Sequence, residues 1–104
     1  MKKFRFQLLH QWIIQHFKPC KVADIGGGKG LLAYLLNQDN FKSVVIHPYN
    51  QTLPIKYKGL DKQQFKILEE STIPRIHKAF EKEMAKDFDL LIGLHAHGSN
   101  MKII

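Results

Sequence analysis

Cysteine is nearly absent from this chain of 104 residues. Cys20 stands alone, so no internal disulfide can form and a disulfide-stapled scaffold is excluded. No stretch approaches the roughly 18 consecutive apolar residues that a membrane span needs. A secretory leader is not expected either. Met1-Lys2-Lys3 imitates its charged head, but Arg5, Gln7, His10 and Gln11 interrupt the apolar core that a leader requires. Together these features lead to the expectation of a cytoplasmic protein with no membrane partner. Acidic residues are also scarce. Residues 1–38 carry six Lys and Arg but one acid, Asp24, and no Asp or Glu falls between Asp39 and Asp61. The whole chain has 16 Lys and Arg against nine Asp and Glu, a net charge of +7. Such an excess suits nucleic acid or another polyanion and sets a prior on partners. With 44% hydrophobic and 24% charged residues, the composition is that of a folded domain, and the length allows one core.

Apolar residues at Phe4, Leu8, Leu9, Trp12, Ile13 and Phe17 recur in steps of three and four. Residues 1–18 are therefore expected to form an amphipathic helix, ended by Pro19 and leading into a single domain over 1–104. Trp12, Phe17 and Phe80 are assigned to the core. Val22 to Ile25 reads as a short strand and Leu31 to Leu36 as a helix ending near Asn37. Ser43 to His47, β-branched and stopped by Pro48, is a second strand. Residues 49–63 show no clear pattern, and Phe65 to Leu68 is a weak strand candidate. Ser71, Thr72 and Pro74 look like a helix start, with Ile76, Phe80 and Met84 at helical spacing up to Asp87. Phe88 to Leu94 reads as a buried strand. Strands alternating with helices predict an α/β layer with a parallel sheet, whose ligands bind beyond the carboxyl ends of the strands.

Four of the seven glycines fall between positions 26 and 30, directly after the first strand, in the pattern Asp24-x-Gly26-x-Gly28-x-Gly30. Glycine there permits positive φ and lets backbone N–H groups approach a ligand with no Cβ in the way. The dinucleotide fingerprint G-x-G-x-x-G fails because position 31 is Leu31. A P-loop reading through Gly28-Lys29 fails at Gly30, where a hydroxyl should hold magnesium. The form acid-x-G-x-G-x-G fits without exception.

This stretch resembles the first motif of the class I S-adenosylmethionine (SAM)-dependent methyltransferases. The resemblance implies a Rossmann-like sheet with flanking helices and SAM as cofactor. Gly26, Gly28 and Gly30 would pass under its methionine and ribose portion, with Asp24 nearby. In that family an acid at the end of the second strand accepts the ribose hydroxyls; the corresponding position here is His47, with Asn50 as a substitute. Leu94-His95-x-x-Gly98 is similar to the LHxCG-type fourth motif of a branch that includes tRNA 2′-O-methyltransferases. It puts His95 and His97 forward as base or substrate contact and admits RNA as methyl acceptor. The Asn/Asp-Pro-Pro-Tyr residues of amino-methylating enzymes are missing, which disfavours base N-methylation.

His95 and His97 could also share a metal ion, but no third ligand stands at helpful spacing, so no metal is expected. Lys56, Lys58, Lys62 and Lys66 could line an RNA path, or be solvated loop charges. A non-catalytic domain binding nucleotide or RNA is the alternative to an enzyme. The family's domain continues beyond a fourth strand, where this chain stops. That predicts a fold truncated there, with Phe88 to Leu94 as an open edge for self-association or a second chain.

Overall fold

Helix α1 ends just ahead of Pro19. In a computed structural model it spans Arg5–His16, and Phe17 is already extended while its N–H still donates to the Ile13 carbonyl. The structure describes residues 4–26, 28–49, 51–68, 71–95 and 98–103. The buried stripe of α1 differs from the expected one. Ile13 is fully buried, and Phe6, Leu9, Ile14 and Phe17 pack around it. Leu8 and Trp12 face outward, 53% and 37% exposed, and Trp12 stacks on His16. Both stripes obey helical spacing, and the surface beneath the helix selects between them.

Strand β1 (Lys21–Ile25), helix α2 (Leu31–Gln38) and strand β2 (Lys42–Ile46) form a βαβ unit, with β1 and β2 parallel and in register from Lys21↔Lys42 to Ile25↔Ile46. Asn37 is not the helix end. Its side chain joins α2 to β2, donating to the Ser43 carbonyl (3.2 Å) and accepting from the Ser43 N–H (2.6 Å). Asn40, with φ 69°, then turns the chain back toward the sheet.

The segment between β2 and the next sheet strand contains a hairpin of β3 (Lys56–Lys58) and β4 (Gln64–Lys66). The strand expected at Phe65 to Leu68 is thus shifted, and its partner lies in the stretch without a pattern. Strands of three residues are too short to show alternation. Tyr57 stacks on Phe65 (5.3 Å) and meets Tyr34 of α2 edge-on (6.3 Å), while Gln7 of α1 donates to the Lys58 carbonyl (2.5 Å). The hairpin is thereby fastened to both helices.

The largest correction concerns Ser71 to Asp87, expected to be helical. Arg75–Ile76 is instead strand β5, parallel to β2, and helical geometry in this stretch is confined to a 3-10 helix at Lys82–Asp87. The outer edge of β2 supplies the reason. The N–H groups of Val45 and His47 need acceptors, and the carbonyls of Pro74 and Ile76 provide them at 3.0 Å each. Pro74 lacks an N–H, which does no harm beside an edge strand. Local periodicity loses to the hydrogen bonding of the sheet.

Strand β6 (Leu90–His95) lies parallel to β1, and β7 (Gly98–Ile103) pairs antiparallel with β6 from His95↔Gly98 to Leu90↔Ile103. The expected open edge at Phe88 to Leu94 is therefore corrected. That strand begins at Leu90 and is paired on both sides, so the premise for association through it is gone. The sheet order is β5-β2-β1-β6-β7, four parallel strands and one antiparallel, an α/β arrangement compatible with a Rossmann-like fold. On its helix-covered face Val22, Leu90 and Ile92 meet Ile13, Leu32, Leu36 and Phe41. Among the described residues no helix is long and apolar enough to cross a membrane.

Candidate functional site

The chain runs outward from β1 through β2 to β5, then returns past β1 to β6. The order reverses between β1 and β6, and such a switch point opens a crevice at the carboxyl ends of the strands. The glycine loop begins there, on the central strand.

All three motif glycines take the left-handed conformation, with φ of 68° at Gly26, 60° at Gly28 and 94° at Gly30. Their surroundings differ. A Cβ added at Gly26 would meet nothing within 4 Å, and one at Gly28 would reach Gln51 Oε1 at 3.5 Å. At Gly30 it would collide with Ile73 Cδ1 and stand 3.2 Å from an Arg75 guanidinium nitrogen. The loop is open at its first glycine and filled by the protein itself at its last. Arg75 explains the second half, since its two terminal nitrogens donate to the carbonyls of Gly28 (2.9 Å) and Lys29 (2.6 Å). With those carbonyls turned to Arg75, peptide planarity turns the Lys29 and Gly30 N–H groups the opposite way.

Asp24 lies beneath the loop. Register places Arg75, Val45, Asp24 and Ile92 in one row across four strands, on the face that α2 covers. The Asp24 carboxylate is 1% exposed, sits between Val45 and Ile92, and has no hydrogen-bond partner among the described residues. Burial pushes its pKa up to about 7, against the pull of the Arg75 guanidinium. Burial likewise lowers the pKa of Arg75, with Asp24 opposing. Ser43 Oγ, one row back on the same face, is also buried without a partner among the described residues.

A cavity of about 360 Å³ is lined by Gly26, Gly28, Lys29, Gly30 and Leu31 together with Arg5, Phe6, Pro54 and Lys56. Three cations from α1, the loop and β3 thus share it with the positive end of α2. A second cavity of about 520 Å³ is lined by residues 51–55 on one side and by Ile67, Leu68, Ile73, Arg75 and His77 on the other. Arg5, Ile73 and Arg75 do not stand out in the sequence as parts of a site, and Lys56 does so only as one of the lysines that could line an RNA path. Arg75 is hidden inside an expected helix, and no local pattern marks a residue that reaches the loop from 45 or more positions away.

His47 closes a local turn. Its Nδ1 accepts from the Tyr49 N–H (3.0 Å), so in the neutral ring the proton sits on Nε2, a donor rather than the acceptor that the family's acid would supply. His95 is the last residue of β6, at the same end of the sheet as the glycine loop, and its backbone pairs with Gly98. His97 lies outside the described residues, as does Asn50. Among the described residues no three His, Cys, Asp or Glu side chains come together as a metal site requires. The structure thus brings together Asp24, Gly26, Gly28 and Gly30 and puts His47 at the end of the adjacent strand. Comparison with protein-family models, curated proteins and solved structures finds no match for this chain.

Proposed function

We propose that the protein binds SAM over the Gly26–Gly28 half of the loop and belongs functionally with methyltransferases, in a reducing, cytoplasmic setting that the lone Cys20 suits. One observation carries the reading: a loop with three left-handed glycines leaves the central parallel strand at the switch point, with open space above Gly26. The residues present fit the methionine end of the cofactor. Gly26 and Gly28 leave room for it, and Asp24 is an orphaned acceptor below them. They do not fit a cofactor that runs on to Gly30, where Ile73 and Arg75 already stand. When bound, the cofactor supplies an electrophilic methyl group to an oxygen or nitrogen nucleophile. The chain's own part is to orient that group through the loop and to offer a base, for which His95, the last residue of β6, and His97 are the candidates.

A nucleotide phosphate is the second reading, favoured by the convergence of Arg5, Lys29 and Lys56 on the loop cavity. Isothermal titration with SAM, S-adenosylhomocysteine and ATP separates the two. Micromolar binding of SAM and its demethylated product, with none of ATP, is expected. The reverse pattern, or binding of neither, overturns the SAM reading.

A further inference from the structure

The β3–β4 hairpin stands where a Rossmann-like crossover usually carries a helix, and its outer face is unusual. Lys56 and Lys66 are directly opposed across the two strands, and Lys58 lies on the same face two residues along, opposite Gln64. Like charges so placed destabilise a hairpin. Among the described residues none of these lysines is in an ion pair. Asp61, three residues after Lys58, accepts from the Gln63 N–H through Oδ1 in the connecting turn, while Glu69 and Glu70, which follow Lys66 in sequence, lie outside the described residues. All three lysines are exposed. Tyr57, on the other face, meets Tyr34 of α2, and the Lys58 backbone carbonyl accepts from Gln7 of α1, so the exposed lysines stand on a hairpin fixed to both helices.

The charge also continues. Lys56 lines the glycine-loop cavity with Arg5 and Lys29, which links the hairpin face to the start of α2. We infer that this surface, from Lys66, Lys58 and Lys56 to Arg5 and Lys29, is a docking track for the phosphate backbone of a single-stranded polynucleotide. Single-strandedness follows from shape. Three-residue strands span roughly 10 Å, and the track then bends into a cavity. A flexible strand can follow that bend; a duplex, with a persistence length of about 150 bp, cannot. The track offers cations to phosphates and reads no base edge, so RNA and DNA strands should bind alike. The inference does not rest on the SAM reading: the track reaches Lys29 and the mouth of the loop cavity, but it is argued from the lysines alone and needs no cofactor.

The test uses the full chain without SAM and a fluorescein-labelled 12-nucleotide RNA, followed by anisotropy from low to moderate salt. If five phosphates are neutralised, log K falls against log salt with a slope of about −3.5. The double variant Lys56→Gln/Lys66→Gln should lower the slope by about 1.4 and weaken binding at least tenfold at low salt, with a thermal melt no lower than that of the parent chain, since a like-charge pair has been removed. Lys82→Gln/Lys86→Gln removes the same charge from the 3-10 helix and should change binding less than twofold. A DNA 12-mer should match the RNA, and a blunt duplex should bind more weakly. Equal losses from both double variants would mean diffuse attraction to net charge and would overturn the track. Tighter binding of the duplex, or binding only to anionic lipid vesicles, would overturn it as well.

Discussion

Gly26 and Gly30 are the same residue in the same loop with φ of the same sign, yet one faces open space and the other faces Ile73 and Arg75. The motif treats them as equivalent. The fold does not, because β5 joins the sheet beside β2 and brings two side chains onto the later glycine. A glycine can therefore be required for two unlike reasons: to leave a space that a ligand can fill, or to let the protein close on itself.

The sharpest way to break this comparison is to add one methyl group at each end. Gly30→Ala combines positive φ with overpacking and should cost roughly 2–5 kcal/mol in denaturant unfolding. Gly26→Ala meets only the backbone penalty, about 1–2 kcal/mol, and should instead weaken SAM binding. Equal losses of stability at the two positions would show that the loop is uniform and the comparison wrong.

Asp24 beneath the loop gives the next largest effect. Its pKa in the folded chain, about 7, lies above the ordinary 3.8. The folded state therefore keeps a proton that the unfolded chain has released, and stability falls as pH rises from about 4 to about 7. The loss between pH 5 and pH 8 should be about 2–3 kcal/mol. Asp24→Asn should flatten that slope in melts over the same range; an unaltered slope would assign it to other groups.

Arg75→Gln removes the donors from the Gly28 and Lys29 carbonyls and should destabilise by about 1–2 kcal/mol. It should also push the Asp24 titration higher in carbon-13 NMR, since a favourable cation is gone. A titration that stays in place would put Arg75 too far away to matter electrostatically. The smallest effect is expected at the end of the neighbouring strand. In His47→Asp the new carboxylate can take over the turn bond to the Tyr49 N–H, as Asp commonly does two residues ahead of an amide. SAM affinity should therefore change less than about threefold, under 0.7 kcal/mol. A tenfold gain in calorimetry would put position 47 against the ribose after all.

Much of the central architecture was legible because its signals are local. The run Val22 to Ile25 entering glycines, the apolar stretch after Gly30 and the β-branched strand before Pro48 each express backbone preference within a few residues. The glycine loop was legible for the same reason, since a left-handed backbone favours glycine whatever surrounds it. What failed to show depended on distant partners. β5 exists because β2 has amides to satisfy, β7 because β6 has an edge, and β3 is too short to carry a pattern.

The amino-acid sequence by itself determined the strand–glycine loop–helix unit, the basic surplus and the place of Asp24 at the foot of the loop, because each is a matter of residue type and close spacing. Tertiary structure alone decided which stripe of α1 turned inward, that Arg75 closes half of the loop, that Asp24 is buried between Val45 and Ile92, and that lysines ten residues apart oppose one another. All of these are contacts between segments. Their outcome depends on which hydrogen bonds and apolar surfaces remain unmatched once the sheet has formed, and no single stretch of chain contains that information.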